Sequence, residues 1–79
     1  MKVMDDSTKK RVVEEKEELA NKINKLESFI QSDKSKKLSN DSIFLLSTQC
    51  LIMKVYLNIL KRRLILDDEE REREVEING

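Results

Sequence analysis

The sequence contains no proline and no histidine, and its only glycine is the last residue, Gly79. Proline and glycine most often end helices and form tight turns, so their scarcity predicts long helices with few turns between them. The single cysteine, Cys50, excludes an intrachain disulfide and is typical of a small buried side chain. Without histidine or a cysteine cluster, we expect no metal site and no cofactor.

The absence of histidine also limits catalysis. Nucleophilic catalysis needs a serine, cysteine or threonine beside a base, and no histidine is present to serve as that base. No glycine-rich loop is present to hold a nucleotide phosphate. The acidic side chains of residues 14–18 are typical of a solvated helix face. We therefore expect a binding protein and not an enzyme.

The formal net charge is zero, but charge is distributed unevenly along the 79 residues. Residues 1–66 carry fourteen basic and nine acidic side chains, a net of +5, whereas residues 67–76 carry seven acidic and two basic, a net of −5. A net of +5 is modest, and no helix is dense in the residues that read bases, so we expect no DNA binding. The acidic end predicts a solvated tail that could be removed at little cost.

Two helical segments follow from the spacing of apolar residues. In residues 8–31 these lie mostly three or four apart, and a second helix extends from about residue 41 to at least residue 66. Residues 32–40 are almost without apolar side chains and predict the connection, after which Ser39 or Asn40 caps the second helix. The prediction is an all-α, antiparallel two-helix hairpin with a flexible lead-in at 1–7, a hairpin domain at 8–66 and an acidic tail at 67–79.

The second helix is apolar around most of its circumference, and one partner helix covers only part of it. The remaining apolar surface would exceed what soluble monomers tolerate. We therefore expect the hairpins to assemble into a homo-oligomeric helical bundle. Gln49, Lys54 and Asn58 interrupt residues 43–60, which argues against a membrane span, and no signal peptide is evident, so we expect a cytoplasmic protein.

Basic residues concentrate at two places that an antiparallel hairpin brings to the same end: residues 9–11 and residues 61–63. Arginine has a planar donor group suited to phosphate oxygens, and Tyr56, six and seven residues before Arg62 and Arg63, offers a ring that could stack on a base. Spacing alone favours structural roles for these residues. The arginines would then complement a helix C-terminus, and Tyr56 would be a core residue with a solvated hydroxyl.

The pattern of these side chains resembles a family of small phage proteins that share the hairpin domain of the anti-CBASS and anti-Thoeris sponges. The resemblance covers about residues 8–64. Its first half is the run RVVEEKEEL at residues 11–19 with Lys22, Leu26, Phe29 and Ile30. Its second half comprises Leu45, Leu46, Gln49, Met53, Tyr56, Leu60 and Arg62 or Arg63.

The resemblance implies a compact homo-oligomer, a hexamer in the best-known members, acting in the cytoplasm of an infected bacterium. Pockets between subunits would capture cyclic di- or trinucleotides of bacterial defence without cleaving them, so that the phage evades immunity. The chain shows no counterpart of the β-sheet domain of anti-Thoeris members, which favours anti-CBASS ligands. The ligand-binding residues implied are Arg11, Lys22, Tyr56, Arg62 and Arg63.

The same sequence is also compatible with a different function. A helical oligomeric adaptor that binds a protein partner through the apolar second helix needs the same surface and no nucleotide. The composition excludes neither reading, because both require oligomerisation and neither requires catalytic chemistry.

Overall fold

The computed structural model describes the backbone of residues 3–78 and the side chains of residues 3–74. Helix α1 spans Asp6–Ile30 and helix α2 spans Asn40–Asn78, with a short 3₁₀ helix at Asp33–Lys37 between them. The described residues form no strand, which confirms the all-α, two-helix prediction. The hairpin is a rod of 61 × 16 × 14 Å, and its assembly into an oligomer stays a prediction.

Helix α1 begins at Asp6, inside the segment predicted as a flexible lead-in. The carboxylate of Asp5 accepts a hydrogen bond of 2.7 Å from the backbone N–H of Thr8, which satisfies one of the free donors at the helix start. This hydrogen bond lowers the pKa of Asp5 below its usual value. The first two residues of the predicted lead-in lie outside the described residues.

The connection between α1 and α2 contains no glycine or proline, and serine side chains stabilise its turns instead. The buried hydroxyl of Ser35 lies 2.7 Å from the carbonyl oxygen of Ile30 and 2.8 Å from that of Ser32, so it can donate to these groups at the end of α1. The hydroxyl of Ser39 then accepts from the backbone N–H of Ser42 at 3.1 Å and caps α2, as one of the two predicted capping residues. Serine therefore supplies here the turn chemistry that glycine and proline usually provide.

The two helices pack through residues spaced by three, four or, between Val12 and Leu19, seven, as in a coiled coil. The buried core residues are Val12, Leu19 and Ile23 from α1 and Cys50 and Leu60 from α2. Leu26 and Ile30 of α1 and Met53, Leu57 and Leu64 of α2 are partly buried against them. We call the side of α2 that carries Cys50, Met53, Leu57, Leu60 and Leu64 the inner face.

A cluster of polar groups closes the open end of the hairpin, and we call it the Asp67 clasp. Asp67 is 4% exposed and accepts from the backbone N–H of Met4 at 2.7 Å and from Arg71 at 2.8 Å. Lys9 lies 3.4 Å from the same carboxylate, and Arg71 also donates to the carbonyl oxygen of Met4 at 2.6 Å. The hydrogen bond from Arg71 is the largest cause of the lowered pKa of Asp67.

The clasp changes the expectation for the acidic end of the chain. Helix α2 continues without a break through residue 67, and the first turn after Leu66 is fastened to α1 and to the residues before it. Removing residues 67–79 would leave the amide of Met4 and the ammonium of Lys9 without their acceptor. These contacts lead us to expect a cost in stability from the loss of Asp67 and Arg71, in contrast to the prediction that the segment can be removed at little cost.

Helix α2 has one stretch, within residues 40–74, that is long and apolar enough by length and composition to cross a membrane. Its most apolar window has a mean hydropathy of 1.7, and 11% of that window is buried in the hairpin. The expectation of no membrane span rests on the polar residues that interrupt the stretch. A lipid bilayer is therefore a rival occupant for the same apolar surface, and any test of function has to include it.

Candidate functional site

The side of α2 that faces away from α1 is apolar and uncovered in the hairpin. Its residues are spaced by three, four or seven, so they form a second stripe along α2, which we call the outer face. The exposed fractions of these side chains range from 40% to 66%. The outer face comprises Leu45, Ile52, Val55, Ile59 and Leu66, with Phe44 and Leu51 beside it.

A groove of ≈ 520 Å³ lies at the C-terminal part of the outer face. Small-molecule sites in proteins commonly have volumes of about 300–1,000 Å³. The groove is open to solvent and lies along a single helix, so a second molecule would be needed to enclose a ligand there. Its lining residues are Ile59, Arg62, Arg63, Ile65, Leu66 and Glu69.

Three charged side chains border the apolar floor of the groove: Arg62, Arg63 and Glu69. All three are exposed, and none forms an ion pair with another described side chain. Arginine binds phosphate through paired, charge-assisted hydrogen bonds, and apolar surface beside it accommodates a ring. The groove thus combines the two kinds of surface that a nucleotide requires.

Tyr56 lies at the edge where α1 and α2 meet. It is 41% exposed, and its hydroxyl donates a hydrogen bond to the carboxylate of Glu15. This hydrogen bond is the main cause of the raised pKa of Tyr56, because it holds the proton on the phenol. The positive charge of Arg63, seven residues later on the same side of α2, acts in the opposite direction.

The five predicted ligand-binding residues fall into three places. Arg62 and Arg63 line the groove, and Tyr56 lies on the hairpin edge within the influence of Arg63. Arg11 and Lys22 are exposed on α1, and no hydrogen bond or ion pair joins either to another side chain in the described part of the hairpin. Their roles stay predictions.

Helix spacing relates Arg11 and Lys22 to the same edge of the hairpin. Arg11 precedes Glu15 by four residues and Lys22 follows it by seven, so all three occupy one side of α1. Glu15 contacts Tyr56, and this side of α1 therefore adjoins the edge that carries Tyr56. Six residues separate Tyr56 from Arg62, which turns Arg62 away from that edge and onto the outer face.

The sequence model of the Sequestin family matches residues 6–66, more than half of the chain. The chain belongs to the Sequestin family. The name indicates a sequestering function, which agrees in part with the resemblance to sponge proteins. No curated protein and no solved structure matches the chain.

The Sequestin match includes all five predicted ligand-binding residues and ends at Leu66. The Asp67 clasp and Glu69 depend on residues beyond that point. The family match therefore carries no information about the Asp67 clasp or about the carboxylate in the groove.

Sequence reasoning overlooked two acidic residues of the site, Glu15 and Glu69. Glu15 belongs to an acidic run that was interpreted as a solvated face, and only the register of the hairpin places it against Tyr56. Glu69 was assigned to the acidic tail. Its spacing of seven from Arg62 was a usable signal, because two such residues occupy the same side of a helix.

Proposed function

We propose that this Sequestin protein binds cyclic oligonucleotide signals of bacterial defence and sequesters them without cleavage, so that a phage evades immunity. The observation that carries this proposal is the pair of arginines, Arg62 and Arg63, beside the apolar floor of the groove. The Sequestin match supports the sequestering part of the proposal. The identity of the ligand rests on the resemblance to sponge proteins and on the chemistry of the groove.

The groove suits a ligand that carries both phosphates and flat rings. Each charge-assisted hydrogen bond from an arginine to a phosphate contributes about 1.5–3 kcal/mol. Ile59 and Leu66 offer apolar surface on which a base packs. Several such contacts together offset the cost of association and give affinities near nanomolar, about −12 kcal/mol.

We propose that the binding unit is a homo-oligomer, a hexamer if the resemblance extends to assembly. The outer face exposes several large apolar side chains, and each leucine or isoleucine buried there would contribute roughly 1.5–3 kcal/mol. A second hairpin on this face would also close the open groove. Arg11, Lys22 and Tyr56 would then reach the ligand from the edges of neighbouring hairpins, and symmetry would repeat them around it.

The proposed mechanism is capture alone. The sequence has no histidine, and the described residues that line the groove include one carboxylate, Glu69, and no serine, threonine, cysteine or tyrosine. The ligand is therefore expected to leave the protein chemically unchanged. The proposal needs no cofactor and no DNA, and it places the protein in the cytoplasm of the infected bacterium, where the signals are made.

Native mass spectrometry of the full chain with a panel of cyclic di- and trinucleotides tests the proposal. The expected result is an oligomer that carries intact nucleotide, with a defined number of ligands per assembly. Arg63→Ala is expected to weaken binding about ten- to hundredfold, as expected for one lost charge-assisted contact. Arg73→Ala is the matched control, since Arg73 pairs with Glu70 outside the groove at 3.2 Å and its loss should leave binding unchanged.

The helical adaptor is the second candidate function, and the exposed outer face favours it. An oligomer that binds no member of the nucleotide panel would refute the sponge and favour the adaptor. Flotation of the protein with lipid vesicles would instead indicate that a membrane covers the apolar stretch of α2. These results are distinguishable from the expected one, because neither involves bound nucleotide.

A further inference from the structure

We propose that Glu69 makes the groove selective for guanine, so that the captured signal is a cyclic nucleotide containing at least one guanine base. The inference rests on the proposed function and adds the identity of the base to it. It concerns a residue beyond the Sequestin match, which ends at Leu66.

Four consecutive acidic residues, at positions 67–70, have different surroundings. Asp67, Asp68 and Glu70 each form an ion pair with a basic side chain of the hairpin, at 2.8, 2.8 and 3.2 Å respectively. Glu69 forms none with another described side chain, and it lines the groove. Of the four, Glu69 is therefore the carboxylate whose hydrogen-bonding capacity is available to a ligand.

The groove has different chemistry at its two ends. Arg62 and Glu69 are seven residues apart, which separates them by about 10 Å along α2 on the same side of the helix. Ile65 and Leu66 lie between them and give the groove an apolar middle. A ligand that fits has an anion at one end, a flat apolar body and a hydrogen-bond donor at the other end. A nucleotide has this order of groups.

An ionised carboxylate only accepts hydrogen bonds, so it selects the base with the most donors on one edge. Guanine presents two neighbouring donors, its ring N1–H and its 2-amino group, which match the two oxygens of one carboxylate. Adenine presents its 6-amino donor beside the acceptor nitrogen N1, which a carboxylate repels. A matched pair of hydrogen bonds between a side chain and a base discriminates by roughly ten- to hundredfold.

Calorimetry of the full chain with cyclic di-GMP and cyclic di-AMP measures this selectivity. The wild-type protein is expected to bind cyclic di-GMP about tenfold or more tightly than cyclic di-AMP. Glu69→Gln removes the negative charge and replaces one acceptor with a donor, so the two affinities should become similar. Glu72→Gln is the control, because Glu72 is exposed on the same helix and does not line the groove.

A change in the ligand tests the same contact without altering the protein. Cyclic di-IMP lacks the 2-amino group of guanine and offers Glu69 one donor per base. The wild-type protein should bind it several-fold more weakly than cyclic di-GMP, whereas Glu69→Gln should bind the two alike. This arm remains decisive even if the variant is poorly folded, since wild type alone must distinguish the ligands.

Each outcome has one meaning. Loss of the guanine preference in Glu69→Gln and its retention in Glu72→Gln support the inference. Equal binding of cyclic di-GMP and cyclic di-AMP by wild type, or an unchanged preference in Glu69→Gln, overturns it and leaves the proposed capture of cyclic nucleotides intact. Wild type that binds only cyclic nucleotides without guanine also overturns the inference, and failure to bind any cyclic nucleotide overturns the proposed function itself.

Discussion

The inner and outer faces of α2 are both apolar stripes with helical spacing, yet the hairpin covers only one of them. On the inner face, Cys50 and Leu60 are 5% and 0% exposed. On the outer face, Ile52 and Val55 are 63% and 57% exposed. Two stripes of apolar residues on opposite sides of one helix would suit two partners, of which α1 is one. The difference leaves the outer face as an apolar surface of α2 that the hairpin does not cover.

The two faces also differ at their C-terminal ends. The inner face ends in the Asp67 clasp, where opposite charges neutralise one another inside the hairpin. The outer face ends in the groove, where Arg62, Arg63 and Glu69 are without charged partners among the described side chains. Charges that are paired within the hairpin stabilise its fold. Charges that have no partner and lie beside an apolar surface are available to a ligand.

The largest expected effect comes from a charge on either face. Leu57→Glu places a carboxylate against α1 and should unfold the hairpin, because Leu57 packs on the buried core. Val55→Glu, two residues away on the outer face, should leave the helix content unchanged and convert the proposed oligomer to a monomer of 9.3 kDa. Circular dichroism and sedimentation velocity distinguish the two outcomes. An intact oligomer in Val55→Glu would show that the outer face is not the interface.

Alanine substitutions measure the same contrast in free energy. Leu60→Ala should lower the free energy of unfolding by about 2–5 kcal/mol in urea titrations, because it creates a cavity in the core. Leu51→Ala, at 63% exposure, should cost less than about 0.5 kcal/mol in a protein that is monomeric under the assay. The same two variants can be compared at concentrations where the proposed oligomer persists. If Leu51→Ala then lowers the free energy of unfolding by nearly as much as Leu60→Ala does, another chain buries this side of α2.

The spacing of apolar residues was enough to predict the hairpin and its connection, because a period near 3.5 specifies helices and an apolar-poor segment specifies the turn. It was not enough to predict which residues meet across the two helices. Glu15 and Tyr56 are 41 positions apart, and only the register of the antiparallel pair brings them together. The acidic composition of residues 67–76 suggested solvation, whereas the burial of Asp67 depends on Met4 and Arg71 together.

The Asp67 clasp should make the stability of the hairpin sensitive to acid. The pKa of Asp67 in the folded state lies below its ordinary value of 3.8, so its contribution is present above that pH and is lost as the pH falls further. Asp67→Asn should therefore lower stability at pH 7 and reduce its dependence on pH below about 4. Urea titrations of both proteins at pH 7 and pH 3 measure this effect. Glu74→Gln is the control. If Asp67→Asn loses no more stability at pH 7 than Glu74→Gln does, the clasp contributes nothing to stability.

The smallest expected effect concerns the hydrogen bond between Tyr56 and Glu15. Tyr56 is the only tyrosine, so the near-ultraviolet absorbance of tyrosinate reports its ionisation alone. The folded-state pKa is raised, so the stabilisation is present below the ordinary value of 10.0 and is lost as the pH rises through the folded value. Glu15→Gln removes the charged acceptor and should move the titration of Tyr56 to lower pH, while Glu17→Gln should not. A titration of Tyr56 that is the same in wild type and in Glu15→Gln would mean that the two side chains are not joined in solution, and the edge of the hairpin would then offer a free hydroxyl to the ligand.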